Sequence, residues 1–164
     1  MESSKHVNIY TDGSCLRNPG PGGYGIILEY DGKKTEKSGG FRNTTNNRME
    51  LLAAIVALES LKEKCQVTIY TDSEYLVNSM TRGWAKKWQA NKWVKSDKKP
   101  AINPDLWGTL LKLCEKHAVE FIWIQGHNNH PQNERCDRLA NEAAKKSNLP
   151  ADEVYENTKR TKIG

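Results

Sequence analysis

The sequence predicts an α/β fold, a single domain built on a mixed five-stranded sheet flanked by helices. Three observations predict it. Three β-patterned segments follow one another near the N-terminus, two more come later with helical segments around them, and no linker or domain-length repeat divides the 164 residues. Consecutive strands give an antiparallel meander, whereas strands separated by helices return parallel.

The meander comprises strands near residues 6–12, 24–30 and 33–41, with Asp31-Gly32 as the turn between the last two. A helix is expected from Thr45 or Asn46 to about residue 62, since Met49, Leu52, Ile55, Val56 and Leu58 recur at helical spacing. Glu50, Ala53, Ala54, Ala57 and Leu61 form a second line on it, small enough to lie close on a sheet. Residues 66–71 read as a strand, followed by a short helix over 73–80 capped by Asp72 or Ser73. A helix after Gly83 to about 91, a loop over 92–99 and a helix from Asn103 or Pro104 to about 116 come next. The last strand is expected at 121–125 and the last helix at 133–146. Residues 1–146 thus form the domain, with 147–164 a loosely attached tail.

Charged residues make up 27% and apolar residues 37%, the latter in short runs with no stretch of membrane length. The first residues lack a signal-peptide pattern, so a cytoplasmic location is expected. Cys15, Cys65, Cys114 and Cys136 stand far apart, without zinc-site spacing, and read as reduced thiols. A net charge of +5 fits a solvated basic surface as readily as a polyanion partner.

The chemistry first shows in an internal echo. Asn8-Ile9-Tyr10-Thr11-Asp12-Gly13-Ser14 and Thr68-Ile69-Tyr70-Thr71-Asp72-Ser73-Glu74 each end a strand on an aspartate. If the two strands are parallel neighbours, both carboxylates meet at the carboxyl end of the sheet, where open α/β folds place their sites. Such carboxylates repel unless a cation lies between them, and oxygen-only ligands suit Mg²⁺ or Mn²⁺. Either aspartate alone reads better as a cap; the matched pair favours ligation. For Glu50, helix capping and ligation stand side by side. Asp137, early in an amphipathic helix, reads by itself as a salt-bridge partner of a neighbouring arginine.

The residues resemble type 1 ribonuclease H of the bacterial kind over nearly the whole chain. The matching motifs are Tyr10-Thr11-Asp12-Gly13-Ser14-Cys15, Asn18-Pro19-Gly20-Pro21-Gly22-Gly23-Tyr24-Gly25, Thr44-Thr45-Asn46-Asn47-Arg48-Met49-Glu50, Thr71-Asp72-Ser73, Asp97-Lys98-Lys99-Pro100, Gly126-His127, and His130-Pro131 with Asn133-Glu134-Arg135-Cys136-Asp137. Each is weak alone, but jointly they are specific. The resemblance implies a ribonuclease H-like fold and a monomer that hydrolyses the RNA strand of RNA/DNA hybrids, leaving 5′-phosphate and 3′-hydroxyl ends. It implies Asp12, Glu50, Asp72 and Asp137 as catalytic ligands of two Mg²⁺ ions, replaceable by Mn²⁺, with Asp12 bridging both. Asp137 would complete the ion that activates water, and Glu50 with Asp72 would hold the ion at the leaving oxygen. His127 would assist proton transfer or product departure.

A basic protrusion over residues 82–99 carries Arg82, Lys86, Lys87, Lys92, Lys95, Lys98 and Lys99 with Asp97 as its one acid, interleaved with Trp84, Trp88 and Trp93. Basic runs are usually solvated faces and tryptophans usually core. The resemblance makes this stretch an arm on the DNA strand, with Lys86, Lys87, Lys98 and Lys99 on phosphates, Trp84 in contact and Trp88 in packing. It places Asn18, Asn46 and Glu74 on RNA, and Thr45 with Asn18 on a DNA phosphate. Glu74 departs from a common glutamine and cannot donate a hydrogen bond when ionised. Asn43, Gln125, Asn128 and Asn129 also depart from the family pattern. The glycines at 20, 22, 23 and 25 read as room for nucleic acid or as tight turns.

Three alternatives compete: an integrase-like or junction-resolving enzyme of the same fold, which would lack the arm; a hybrid-binding module without catalysis; and a phosphatase or phosphoacceptor domain using Asp12, with another strand order.

Overall fold

The computed structural model describes residues 5–126 and 130–163, with side chains to 158. Strands β1 (Lys5–Cys15), β2 (Gly20–Tyr30) and β3 (Lys33–Thr44) form the meander. Helix α1 (Asn46–Glu59) crosses to β4 (Cys65–Thr71), followed by α2 (Glu74–Thr81), α3 (Trp84–Ala90) and α4 (Pro104–Lys116). Strand β5 (Ala118–Trp123) and helices α5 (Pro131–Ala144) and α6 (Glu153–Ile163) complete the order. The sheet runs β3-β2-β1-β4-β5, antiparallel on the β3 side and parallel from β1 to β5. This is the mixed five-stranded architecture expected, and its strand order removes the phosphoacceptor alternative.

The echo is realised as β1 and β4, adjacent and parallel, with Tyr10 paired to Tyr70 and their rings stacked at 4.8 Å. The alanines Ala53, Ala54 and Ala57 are fully buried, so α1 lies close on one face of the sheet. Leu51, absent from the expected stripe, is buried as completely, because α4 covers the outer side of α1. Helix α5 takes the opposite face. Gly13 turns toward α1, while Gly23 and Gly25 turn toward α5, where a methyl group at either would overlap carbonyl oxygens of that helix. Those glycines therefore serve helix packing rather than nucleic-acid approach.

Two expectations are corrected. The last strand begins three residues before and ends two residues before the expected 121–125, since its partner β4 pairs Gln66 with Ala118 and Thr71 with Trp123. The half-exposed β5 edge includes Glu120, which hid the β pattern. The segment after residue 146 is not loose: it carries α6, Asp152 is buried, and Arg42 holds Pro150 through its amide and Glu156 through its guanidinium.

Candidate active site

At the carboxyl end of β1 and β4, a cleft of about 430 Å³ gathers Asp12, Glu50, Asp72 and Asp137. Asp72 directly follows β4, as expected, whereas Asp12 lies within β1, which outruns its pairing with β4 and continues along β2 to Cys15; Glu50 comes from the first turns of α1 on one face and Asp137 from α5 on the other. Asp12, Glu50 and Asp72 each offer an oxygen within 4.8 Å of the others. Asp137 reaches the cluster through hydrogen-bonding contact with Asp12.

The bland roles are filled by other residues. Thr45 caps α1 by accepting from the Arg48 amide at 3.2 Å, which frees Glu50. Glu50 instead accepts from the Gly13 amide at 2.6 Å and the Thr71 hydroxyl at 3.2 Å, both at the sheet edge. Ser73, not Asp72, caps α2 by accepting from Leu76 at 3.1 Å. Arg135 pairs with Glu36 on β3 at 2.8 Å, and Asp137 has no ion pair among the described residues.

Crowding shapes the electrostatics. Burial pushes the Asp12 carboxyl far above the usual carboxylate range, and the charges of Glu50 and Asp72 push it further. Glu50 is raised as well, chiefly by burial, despite the hydrogen bonds it receives. Ionised carboxylates this close demand a positive counter-charge. The donor set is oxygen only and already oriented by Gly13 and Thr71, so the residues fit hard divalent cations.

Asn46 and Glu74 line the same cleft. The Asn46 side-chain oxygen accepts from the Cys15 amide at 2.7 Å, and the Asn46 backbone amide donates to Asn18 Oδ1 at 3.1 Å, which ties Asn18 to the cleft, whereas Thr45 lines a separate pocket with Arg48, Asn103 and Tyr155. Sequence reasoning assigned no site role to Asn47, Tyr75 or Asn141. The first two line the cleft, and Asn141 accepts from the Ser14 hydroxyl at 3.0 Å while donating to the Asp137 carbonyl. Its four-residue spacing from Asp137 on one helix was the available signal. His127 lies outside the described residues, but Gly126 before it passes Asp72 so tightly that a methyl there would stand 2.8 Å from the carboxylate.

The protrusion stands apart from the cleft. Helix α3 rests on a buried aromatic group in which Trp107 meets Trp88 at 5.9 Å and Tyr75 at 5.3 Å, with the Trp107 indole N–H donating to Tyr75. The following loop is pinned where Lys95 donates to the Lys99 carbonyl and Ala101 to that of Trp93. Lys86, Lys87, Lys98 and Lys99 are exposed, and Trp84 is 37% exposed with Arg82 over its ring. Trp84, Lys87, Trp88 and Asn91 border a groove of about 300 Å³.

A family model described as RNase H matches residues 4–145. A protein of Desulforamulus reducens named ribonuclease H is 63% identical over 148 residues, covering 90% of this chain and 93% of its own. Another from Rippkaea orientalis with the same name is 60% identical over 95% of this chain and 96% of its own. Among solved structures, LC9-RNase H1, described as a type 1 RNase H with the type 2 active-site motif, superposes with a TM-score of 0.76 at 34% identity, over 88% of this chain and 74% of its own. LC11-RNase H1 in complex with RNA/DNA hybrid gives 0.66 at 27% identity, over 84% and 96%.

Proposed function

The chain belongs to the ribonuclease H family, type 1, and from that premise we propose which of its residues carry the cleavage of the RNA strand of RNA/DNA hybrids. The observation that carries the reading is the convergence of four carboxylates, remote in sequence, at one sheet edge. Asp12, Glu50, Asp72 and Asp137 would hold two divalent ions, Mg²⁺ with Mn²⁺ as substitute, which when bound supply a water of lowered pKa and neutralise charge developing at phosphorus.

The chain's own groups do the rest. Gly13 and Thr71 fix Glu50, and Asn141, bonded to Ser14, fixes the middle of α5 at Asp137, so ligand geometry is set before substrate arrives. Asn18, Asn46 and Glu74 face the RNA strand and its 2′-hydroxyls, the feature that separates RNA from DNA. Thr45 with Asn18 holds a DNA phosphate. Trp84, Lys86, Lys87, Lys98 and Lys99 grip the DNA backbone away from the cut, which gives affinity with little sequence preference. His127 aids proton transfer or product departure. Attack on the scissile phosphate leaves 5′-phosphate and 3′-hydroxyl ends.

No helix among the described residues is long and apolar enough to cross a membrane. The proposed enzyme acts as a monomer, and a cytoplasmic location accords with four free cysteines. Labelled RNA/DNA, RNA/RNA and DNA/DNA duplexes, incubated with and without Mg²⁺, test the reading. Wild-type protein should cut only the RNA of the hybrid and only with the ion, and Asp12→Asn should bind hybrid without cutting it. Cleavage by that variant at the wild-type rate would refute the site.

A further inference from the structure

We infer that the segment beyond α5 belongs to the catalytic unit, and that Asp152 is a positioning residue which, through Arg48, holds the first turn of α1 from which Asn46 and Glu50 reach the cleft. The inference rests on Glu50 as an ion ligand.

Arg48 is 4% exposed, and every donor group of its guanidinium fork is used. Nε donates to Asp152 Oδ2 at 2.7 Å and Nη2 to Asp152 Oδ1 at 3.0 Å, one bidentate pair. Nη1 and Nη2 donate to the two oxygens of Asp105 at 3.0 and 2.8 Å, a second pair, and Nη1 also reaches Asn103 Oδ1 at 3.2 Å. The Thr44 hydroxyl donates to Asp152 Oδ2 at 2.7 Å. Burial opposes the charge on Arg48, but the hydrogen bonds to Asp105 and Asp152 outweigh it and keep the guanidinium protonated. One buried cation thus ties four separate pieces of chain: the end of β3, the start of α1, the start of α4 and the residue before α6.

The placement on α1 gives this clamp its bearing on the cleft. At about 100° per residue, side chains at 48 and 50 leave the helix on nearly opposite sides. Arg48 therefore anchors the back of the turn while Glu50 works at the front. First turns lack part of the helical hydrogen-bond ladder and are the part of a helix that yields most readily. Here the turn is held at the front by Gly13 and Cys15 and at the back by Arg48, whose nearest partner, Asp152, lies beyond the matched stretch ending at 145. Pro150 and Glu156, both bonded to Arg42, keep Asp152 in place.

The test is the binding of Mn²⁺ alone to the full chain, by calorimetry or electron paramagnetic resonance, together with steady-state hybrid cleavage, at a temperature where each variant is folded. Asp152→Asn should raise the Mn²⁺ dissociation constant about 10-fold, as loss of a group supporting a metal ligand does. It should lower kcat while leaving KM for hybrid near wild type. Thr44→Val, which removes one bond to Asp152, should move both in the same direction by less, and decides the matter if Asp152→Asn does not fold. Val7→Ala, a core truncation at the far end of β1, should lose stability and keep wild-type Mn²⁺ affinity. Folded Asp152→Asn and Thr44→Val with wild-type affinity would overturn this inference alone, whereas a wild-type chain that binds no Mn²⁺ would overturn the ligand assignment with it.

Discussion

Gly25 of β2 lies directly beneath the carbonyl of Cys136 on α5, with no room between them for a methyl group. The adjacent residue on that helix is Asp137, so the bare backbone of β2 sets how near Asp137 comes to Asp12, the partner of Gly25 across the strands. Gly25→Ala should lift α5, cost about 1–3 kcal/mol as an overpacked contact does, and lower kcat beyond what lost stability explains. Thermal unfolding and cleavage rates measured on the same preparation would show it; a variant with full kcat would separate the helix position from the chemistry.

The crowded carboxylates predict a pH slope. Asp12 and Glu50 hold protons in the folded chain well above their ordinary values of 3.8 and 4.5, so from about those values upward the metal-free folded state binds more protons than the unfolded one. Stability should then fall as pH rises from about 4 toward the raised values. Asp12→Asn should flatten that slope and stabilise the metal-free chain near neutrality by about 1–2 kcal/mol. Melting temperatures from pH 4 to 8 in the presence of chelator read both. A metal-free wild type that gains stability across this range from these groups would contradict the repulsion described.

Replacing Lys86, Lys87, Lys98 and Lys99 with alanine should raise KM for hybrid more than it changes kcat. It should also flatten the salt dependence of binding by up to about 0.9 logarithmic units per lost phosphate contact. Binding titrations at several salt concentrations check this, and an unchanged slope would take the protrusion off the substrate surface.

Trp84 and Trp88 should part company. Trp88→Ala opens the aromatic group around Trp107 and should cost about 3–5 kcal/mol, seen in denaturant unfolding. Trp84→Ala, at an exposed position, should leave the midpoint nearly unchanged and raise KM several-fold. The reverse pattern would exchange their roles.

Glu74→Gln should lower KM about 2–5-fold. It removes an acceptor-only negative charge from the cleft and restores a donor, worth about 0.5–1 kcal/mol for a solvent-facing group. Competitive binding of wild type and variant to one labelled hybrid measures the difference.

The repeated Tyr-Thr-Asp ending carried the pairing of β1 with β4 and the meeting of Asp12 with Asp72, because period-two strands and their ends are written locally. Glu50 and Asp137 could be assigned only by resemblance, since their partners lie 37 and about 125 residues away and nothing beside them announces a sheet edge. Gly23 and Gly25 were misleading for the same reason: the α5 backbone they accommodate is more than 110 residues distant. Asp152 sits in a polar stretch with no periodicity, and its meaning appears only once Arg48 is seen buried against it.

Because α5 and the Asp152 clamp are the last parts of the domain to leave a ribosome, a partly synthesised chain has the first three carboxylates but not the fourth, nor the strut behind α1. On the proposed assignment, hybrid cleavage should therefore appear only once α5 and the segment carrying Asp152 have docked.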